Sequence, residues 1–457
     1  MDHPSRAQCG GAAGPTQKAS RMSISRRAFL ATAATLGIGT GTALLSGCAS
    51  SGTNVTGPSG SPSSLEVFSW WTEGGEKAAL NSLVSEFHVH NPHIDFVNRA
   101  VAGGAGTNAK AELARRLKAG DPPDTFQGQA GAMLDDYVDA GQLEDLGFLY
   151  QQQGWDRALN STLLQLTQRA GKHWSVPLDI HHINVIWANK RVCDHAKAPV
   201  APDNVPDFVT ALHRVAATGK NPLAISATAA EIWQVKHLME CLLVAEVGPA
   251  GWPALWKAGG DWGTQQVSTA LAALRQILAL AVNPTAEVSW DKASAMVGSG
   301  EAAYQIMGDW TEASFTLAGL LPHRDYDWAP APGTDGTFVF ASDCFTLPKG
   351  AKDRDAAIAW LVECGSQAGQ DSFTAVKGAI PPRSVIGSTE RGLFDEYSNW
   401  SMQQWTGTQI VGSLTHGVVA RAAWNSAIDS ALLSFAANRD PVRLQTALQA
   451  AAKQYAA

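Results

Sequence analysis

Apolar positions after residue 64 alternate between two periods. Leu65-Glu66-Val67-Phe68-Ser69-Trp70-Trp71 reads as a strand. The turn Thr72-Glu73-Gly74-Gly75 follows, and then Leu80, Leu83, Val84 and Phe87 recur at i, i+3, i+4, i+7, the apolar face of a helix that stops before Asn91-Pro92. Ile94 to Val101 predicts a second strand. The glycine loop Gly103-Gly104-Ala105-Gly106 opens a helix carrying Leu113 and Leu117, which ends at Gly120 and Pro122-Pro123. Thr125-Phe126-Gln127 is a short third strand. This β-α-β-α-β order predicts an α/β lobe with a largely parallel sheet. Further on, Trp174 to Trp187 reads as extended chain, and helices are predicted over Pro206–Ala217, Glu231–Val247, Gln265–Ala281 and Ala356–Cys364. Ala302–Met307 and Phe338–Leu347 read as strands.

Residues 65–457 are roughly 400 in number, more than one ordinary core holds, which predicts two lobes. Ahead of them, Arg26-Arg27-Ala28-Phe29-Leu30 starts an apolar, small-residue run that ends in Leu45-Ser46-Gly47-Cys48. A basic start, an apolar middle and a small-residue cleavage site make an export signal, and the paired arginines make it Tat-like. The run is short and rich in Gly, Ala and Thr, which argues against a membrane-spanning anchor. Met22 precedes it directly, so residues 1–21 read as an extension. Residues 49–64 are Ser, Gly, Thr and Pro without apolar period, a flexible tether.

A formal net charge of −7 argues against a nucleic-acid partner, which needs a basic face. Beyond Cys9 and Cys48, the cysteines Cys193, Cys241, Cys344 and Cys364 are widely spaced, and His181-His182 point apart on extended chain, so no metal and no cofactor is expected. Export permits a disulfide, and folding before Tat export makes reduced buried thiols at least as good an expectation, so the sequence leaves the pairing open. Sixteen tryptophans against six tyrosines is an unusual ratio that suits a carbohydrate binder.

Trp70 and Trp71 are adjacent at a strand's C-terminal end, the edge where open α/β sheets bind ligands, and their side chains point to opposite faces. One should pack inward and one should face the cleft. Trp71, nearer the Gly74-Gly75 helix start, is taken as the cleft residue. Glu73 sits at that helix start, where free backbone N–H groups can meet hydroxyl oxygens, although a first-turn charge alone would explain it. The glycine loop lacks the spacing of a nucleotide site. Asp179, His181, Asp309 and His416 are polar residues at strand ends or turns with no catalytic string around them. Planar carboxylates and amides suit paired hydrogen bonds to neighbouring hydroxyls in a concave site.

Taken together these strings resemble the extracellular solute-binding proteins of sugar ABC importers, and within them the glucose/monosaccharide-binding branch. The resemblance is carried by Val67–Gly75, Gly103–Gly106, Gly120-Asp121-Pro122-Pro123-Asp124-Thr125-Phe126-Gln127, Trp174–His181, Ile306-Met307-Gly308-Asp309-Trp310, Ser342-Asp343-Cys344-Phe345, Lys377-Gly378-Ala379-Ile380 and Ile410–Gly417, in order along nearly the whole mature chain. It implies a two-lobe periplasmic-binding-protein-like fold of type II, with the ligand in the inter-lobe cleft. Lobe 1 is placed at 65–181 and 340–381 and lobe 2 at 182–339 and 382–457, with crossings near Asp179–His182, Phe338–Phe340 and Pro381–Arg383. It implies sugar contacts at Trp70, Trp71, Glu73, Gln127, Asp309, Lys377 and His416, with Trp233 stacking from the other lobe; Gln129, Asp179 and His181 complete the expected site. Where relatives often read Phe-Gln-x-His-Ala-Gly, this chain has Phe126-Gln127-Gly128-Gln129-Ala130-Gly131, which opens the ligand to a different monosaccharide or a disaccharide. Leu45-Ser46-Gly47-Cys48 is similar to a lipobox, implying lipidation at Cys48 and attachment to the outer face of the cell membrane. The implied partners are a small sugar and the permease subunits of the importer, with the protein itself a monomer and no enzyme. Two other readings stand beside it. One is a secreted glycoside hydrolase using two of Glu73, Asp179 and Asp309, since that chemistry needs a carboxylate pair flanking the bond. The other is a sugar sensor docking to a membrane receptor.

Overall fold

The computed structural model describes residues 63–103, 106–281 and 283–456. The export signal, Cys48 and nearly all of the tether lie outside them, as do Gly104 and Ala105.

Two sheets organise the chain. The first has the order β2-β1-β3-β13-β6, from β1 (Ser63–Phe68), β2 (Ile94–Asn98), β3 (Thr125–Gln129), β6 (Val176–Pro177) and β13 (Asp343–Thr346). β1 runs parallel to β2 and β3, whereas β13 is antiparallel to β3 and to β6. The parallel expectation therefore holds for the three N-terminal strands and ends where the chain returns from the second lobe. The second sheet has the order β11-β8-β10-β9, from β8 (Val185–Asn189), β9 (Asn221–Leu223), β10 (Ala302–Ile306) and β11 (Tyr326–Pro330). Between the two lies a small sheet, β14-β12-β7, of Gln409–Gly412, Thr337–Ala341 and His181–His182. A two-residue hairpin, β4 (Gln168–Arg169) with β5 (Lys172–His173), stands apart.

Each lobe has its own core. Leu65, Val67, Leu80, Leu83, Phe87, Phe345 and Trp360 pack together in the first; Trp187, Phe208, Leu242, Leu274, Tyr304 and Leu432 belong to the second. The extended run Phe338–Leu347 is two strands, not one. It breaks at Ser342, and β12 and β13 belong to different sheets, so the chain crosses between lobes there. It crosses again from β6 through β7 to β8, and Ile180 exchanges both backbone hydrogen bonds with Ile380, at 2.8 and 3.0 Å. The predicted helix 231–247 continues as Ile232–Leu255, with a break at Gly248, whose φ is 67°.

The lobes touch beside the cleft. At the start of helix Gly74–His90, Gly75 lies against helix Trp310–Leu317, so close that a Cβ there would stand 2.3 Å from the Cβ of Ala313. Cys193, Cys241, Cys344 and Cys364 are buried and unpaired thiols. Among the described residues, no helix is long and apolar enough to cross a membrane.

Candidate functional site

The ends of β1 and β3, the start of helix Gly74–His90 and the end of helix Gln367–Lys377 form one wall of a 350 Å³ cavity. Helix Trp310–Leu317, the start of helix Ile232–Leu255, residues 289–292 and the turn at His416 form the other. Of the expected site residues, Trp70, Glu73, Gln129, His181, Trp233, Lys377 and His416 line it. Trp71, Gln127, Asp179 and Asp309 do not.

Trp71 is a core residue. It is fully buried, with its ring 4.8 Å from Phe373 and 5.9 Å from Phe345. Trp71 lies just past the end of β1, has the parity of Leu65 and Val67 and joins their core cluster, whereas Phe68 belongs to another and the partly buried Trp70 packs against both. The assignment of Trp71 to the cleft is thus reversed. Trp70 lines the cavity, and its indole rests on Gly106, where a Cβ would come within 2.8 Å of the ring. Gly106 has φ 85°, a left-handed conformation that glycine adopts without strain.

Gln127, Asp179 and Asp309 stand one layer behind the cavity, in a continuous polar chain. The backbone N–H of Trp70 donates to Oε1 of Gln127 at 3.1 Å, and Nε2 of Gln127 donates to Oδ1 of Asp343 at 3.0 Å. Nε2 of His181 lies 3.1 Å from Oδ2 of Asp343 and 3.0 Å from Oδ2 of Asp179, and its Nδ1 lies 2.5 Å from Oδ1 of Asp309. Asp309 also accepts from the backbone N–H of His182 at 2.8 Å, and Asp179 accepts from that of Asp343 at 2.8 Å. Burial opposes a charge on His181, but the carboxylates of Asp179 and Asp309 outweigh it and hold its pKa well above the usual histidine value. Burial pushes Asp179 up to about 6 against the pull of His181. Asp343 is raised by burial too, yet its hydrogen bond and charge contact with His181 leave it below the ordinary carboxylate value. The result is an imidazolium clamped among carboxylates. Asp179, His181 and Asp343 have ligand atoms close enough together to face a common cation. The single Nε2–H of His181 bonds to Asp343 and leaves Oδ2 of Asp179 in ion-pair contact without a hydrogen bond, so the set forms an ion-pair network.

Several lining residues were not singled out from the sequence. Nζ of Lys377 pairs with Oε1 of Glu76 at 3.1 Å and lies 5.5 Å above the ring of Trp310. Burial works against the charge on Lys377, but Glu76 and the aspartates raise its pKa, and burial also lifts that of Glu76. Asp343, Trp290, Trp310 and Glu231 also line the cavity, Glu231 accepting from Nε1 of Trp233 at 2.9 Å. A signal for Asp343 was present: an ionisable residue inside the otherwise apolar run Phe338–Leu347 needs a partner when buried. Glu76 and the tryptophans carried no local mark that separates them from ordinary helix residues.

The cavity therefore offers four indoles, Trp70, Trp233, Trp290 and Trp310, together with fixed donors and acceptors. Acidic lining groups (Glu73, Glu76, Glu231, Asp291, Asp343) outnumber basic ones (His181, Lys292, Lys377), which disfavours an anionic ligand. Of the three carboxylates considered for hydrolysis, Asp179 and Asp309 are committed to His181 behind the wall.

Comparison with known proteins gives a consistent result. The family model described as bacterial extracellular solute-binding protein matches residues 70–371. An uncharacterized ABC transporter extracellular-binding protein of Pyrococcus horikoshii is 29% identical over 403 residues, 85% of this chain and 87% of that protein. A probable sugar-binding periplasmic protein of Mesorhizobium japonicum is 30% identical over 329 residues, covering 71% and 77%. Among solved structures, the bacterial solute receptor AcbH, reported to prefer β-D-galactopyranose, superposes with a TM-score of 0.72 at 18% identity, covering 86% of this chain and 98% of that one. The fold is accordingly the two-lobe, type II periplasmic-binding-protein architecture.

Proposed function

The chain belongs to the bacterial extracellular solute-binding proteins, and we propose that it captures a small neutral sugar, a monosaccharide such as glucose, and delivers it to the permease of an ABC importer. The observation that carries this reading is the cavity itself. Indole faces cover the apolar C–H face of a pyranose, while Asp343, Glu76, Lys377 and Gln129 supply acceptors and donors in fixed positions. Relatives named as sugar-binding and ABC-transporter proteins support the same reading. In it, residues 65–181 with 340–381 and residues 182–339 with 382–457 close on the ligand as two bodies. Export by the Tat-like signal and lipidation at Cys48 would keep the protein at the outer face of the cell membrane beside its permease. A thermal-shift screen against mono- and disaccharides tests the ligand: a sugar at 100 times its Kd adds about 2.7 kcal/mol of stability. A flat response across neutral sugars at millimolar concentration would refute the reading.

A further inference from the structure

Gln129, the position where this chain departs from the Phe-Gln-x-His-Ala-Gly pattern, carries an amide that bridges the lobes. Its Oε1 lies 3.5 Å from Nζ of Lys110, and its Nε2 lies 3.2 Å from Nδ1 of His416. A lysine ammonium can only donate, so it selects the amide oxygen. The amide NH₂ is then left for His416. Because that group also only donates, Nδ1 must be the unprotonated nitrogen of the imidazole. The ring proton therefore sits on Nε2, a buried atom with no hydrogen-bond partner, on a side chain whose residue lines the cavity. The rings of Trp233, His237 and Trp310 stand edge-on to His416 at centroid distances of 5.1–6.4 Å. Burial, followed by the charges of its neighbours, holds His416 neutral, its pKa well below the usual value.

Lys110 is placed for this role. It follows Gly106 by one helical turn, and the two share the helix face that packs on Trp70. Its Nζ lies 5.1 Å above the Trp70 ring, and it forms no ion pair among the described residues. We propose that Lys110 is a positioning residue which, through Gln129, fixes the proton of His416 on Nε2 and makes His416 an obligate donor to an oxygen lone pair of the ligand. The last step rests on the sugar-binding reading; the position of the proton does not.

The test separates the two. Long-range ¹H–¹⁵N correlation spectra of the ligand-free protein, with His416 assigned by comparison with His416→Gln, report which ring nitrogen carries the proton. The wild type should show a neutral ring protonated at Nε2. Lys110→Arg should retain that pattern, and Lys110→Met should give a mixture because the amide is free to turn over. Gln129→Glu should move the proton to Nδ1, since a carboxylate only accepts. In calorimetric titration with D-glucose, D-galactose and D-xylose, whichever sugar binds should weaken about tenfold in Lys110→Met and recover in Lys110→Arg. A wild-type ring protonated at Nδ1, or a Lys110→Met spectrum identical to wild type, overturns the proposal. The expected spectra with no binding of any sugar would sustain the tautomer relay and overturn the donor role to a sugar.

Discussion

Trp70 and Trp71 are neighbours with opposite roles, and the difference has a measurable consequence. Trp71→Ala empties a core site between Phe345 and Phe373 and should cost about 3–5 kcal/mol of stability. Trp70→Ala should change stability by about 1 kcal/mol, because its ring lies partly exposed on the cavity wall, yet it should weaken ligand binding by more than tenfold. Melting curves paired with titrations of both variants check this. Equal destabilisation would contradict the division of roles. Lys377→Met should cost about 3–5 kcal/mol, since it strands the buried Glu76 without its cation; a melting temperature close to wild type would count against that pair. At this scale the sequence disclosed that one tryptophan packs and one faces outward. It also held the answer to which, because Leu65 and Val67 mark the inward side and Trp71 shares their parity. Proximity to the glycine turn was the weaker cue. Gln127, Asp179 and Asp309 were legible as polar residues at strand ends, but their position behind His181 depends on long-range pairing that no local pattern encodes.

Among the elements, the helix Gly74–His90 meets the helix Trp310–Leu317 at Gly75, and under the proposed closure on a ligand this contact would limit it. Gly75 sits against Ala313 so tightly that any side chain must part them. Gly75→Val should therefore leave each lobe folded while weakening ligand binding, and Ala313→Gly should partly restore the affinity of Gly75→Ala. Binding unaffected by Gly75→Val would show that this contact plays no part in closure. The strand β7 carries a second test. His182 is stacked on Phe338 at 3.9 Å and on Trp400 at 5.1 Å, and burial pushes its pKa down to about 3; His237 is pushed down by burial to about 4. A folded-state pKa below the unfolded value means that the unfolded chain binds more protons as pH falls. Each such histidine thus removes up to about 1.4 kcal/mol of stability per pH unit below about 6.5. Asp179, raised by burial, acts in the opposite sense across the same range. The informative quantity is the difference: between pH 7 and pH 5, His182→Phe should lose less stability, or gain more, than wild type in denaturant titrations. Identical pH slopes would contradict the buried neutral histidine. The helices were largely legible because their apolar period is local. The split of Phe338–Leu347 into β12 and β13 was not, because the polar pair Ser342-Asp343 does not by itself say that the apolar residues on either side serve different sheets.

As a whole the molecule is two lobes around a polar, indole-walled cleft. The two-lobe plan was foreshadowed by length, since residues 65–457 exceed what one ordinary core holds. Closure predicts a smaller radius of gyration in solution scattering when the correct sugar is added, since a ligand shifts the open–closed population only through contacts made in the closed state. Anchoring predicts that Cys48→Ser releases the protein from membranes or blocks its maturation; unchanged processing and membrane retention would contradict it. The most direct measurement is calorimetric titration of D-glucose, D-galactose, D-xylose and maltose into wild type and Trp70→Ala. Wild type should bind one neutral monosaccharide per chain, and Trp70→Ala should lose more than tenfold in affinity. Failure of every sugar to bind, or equal affinity in the two proteins, would contradict it.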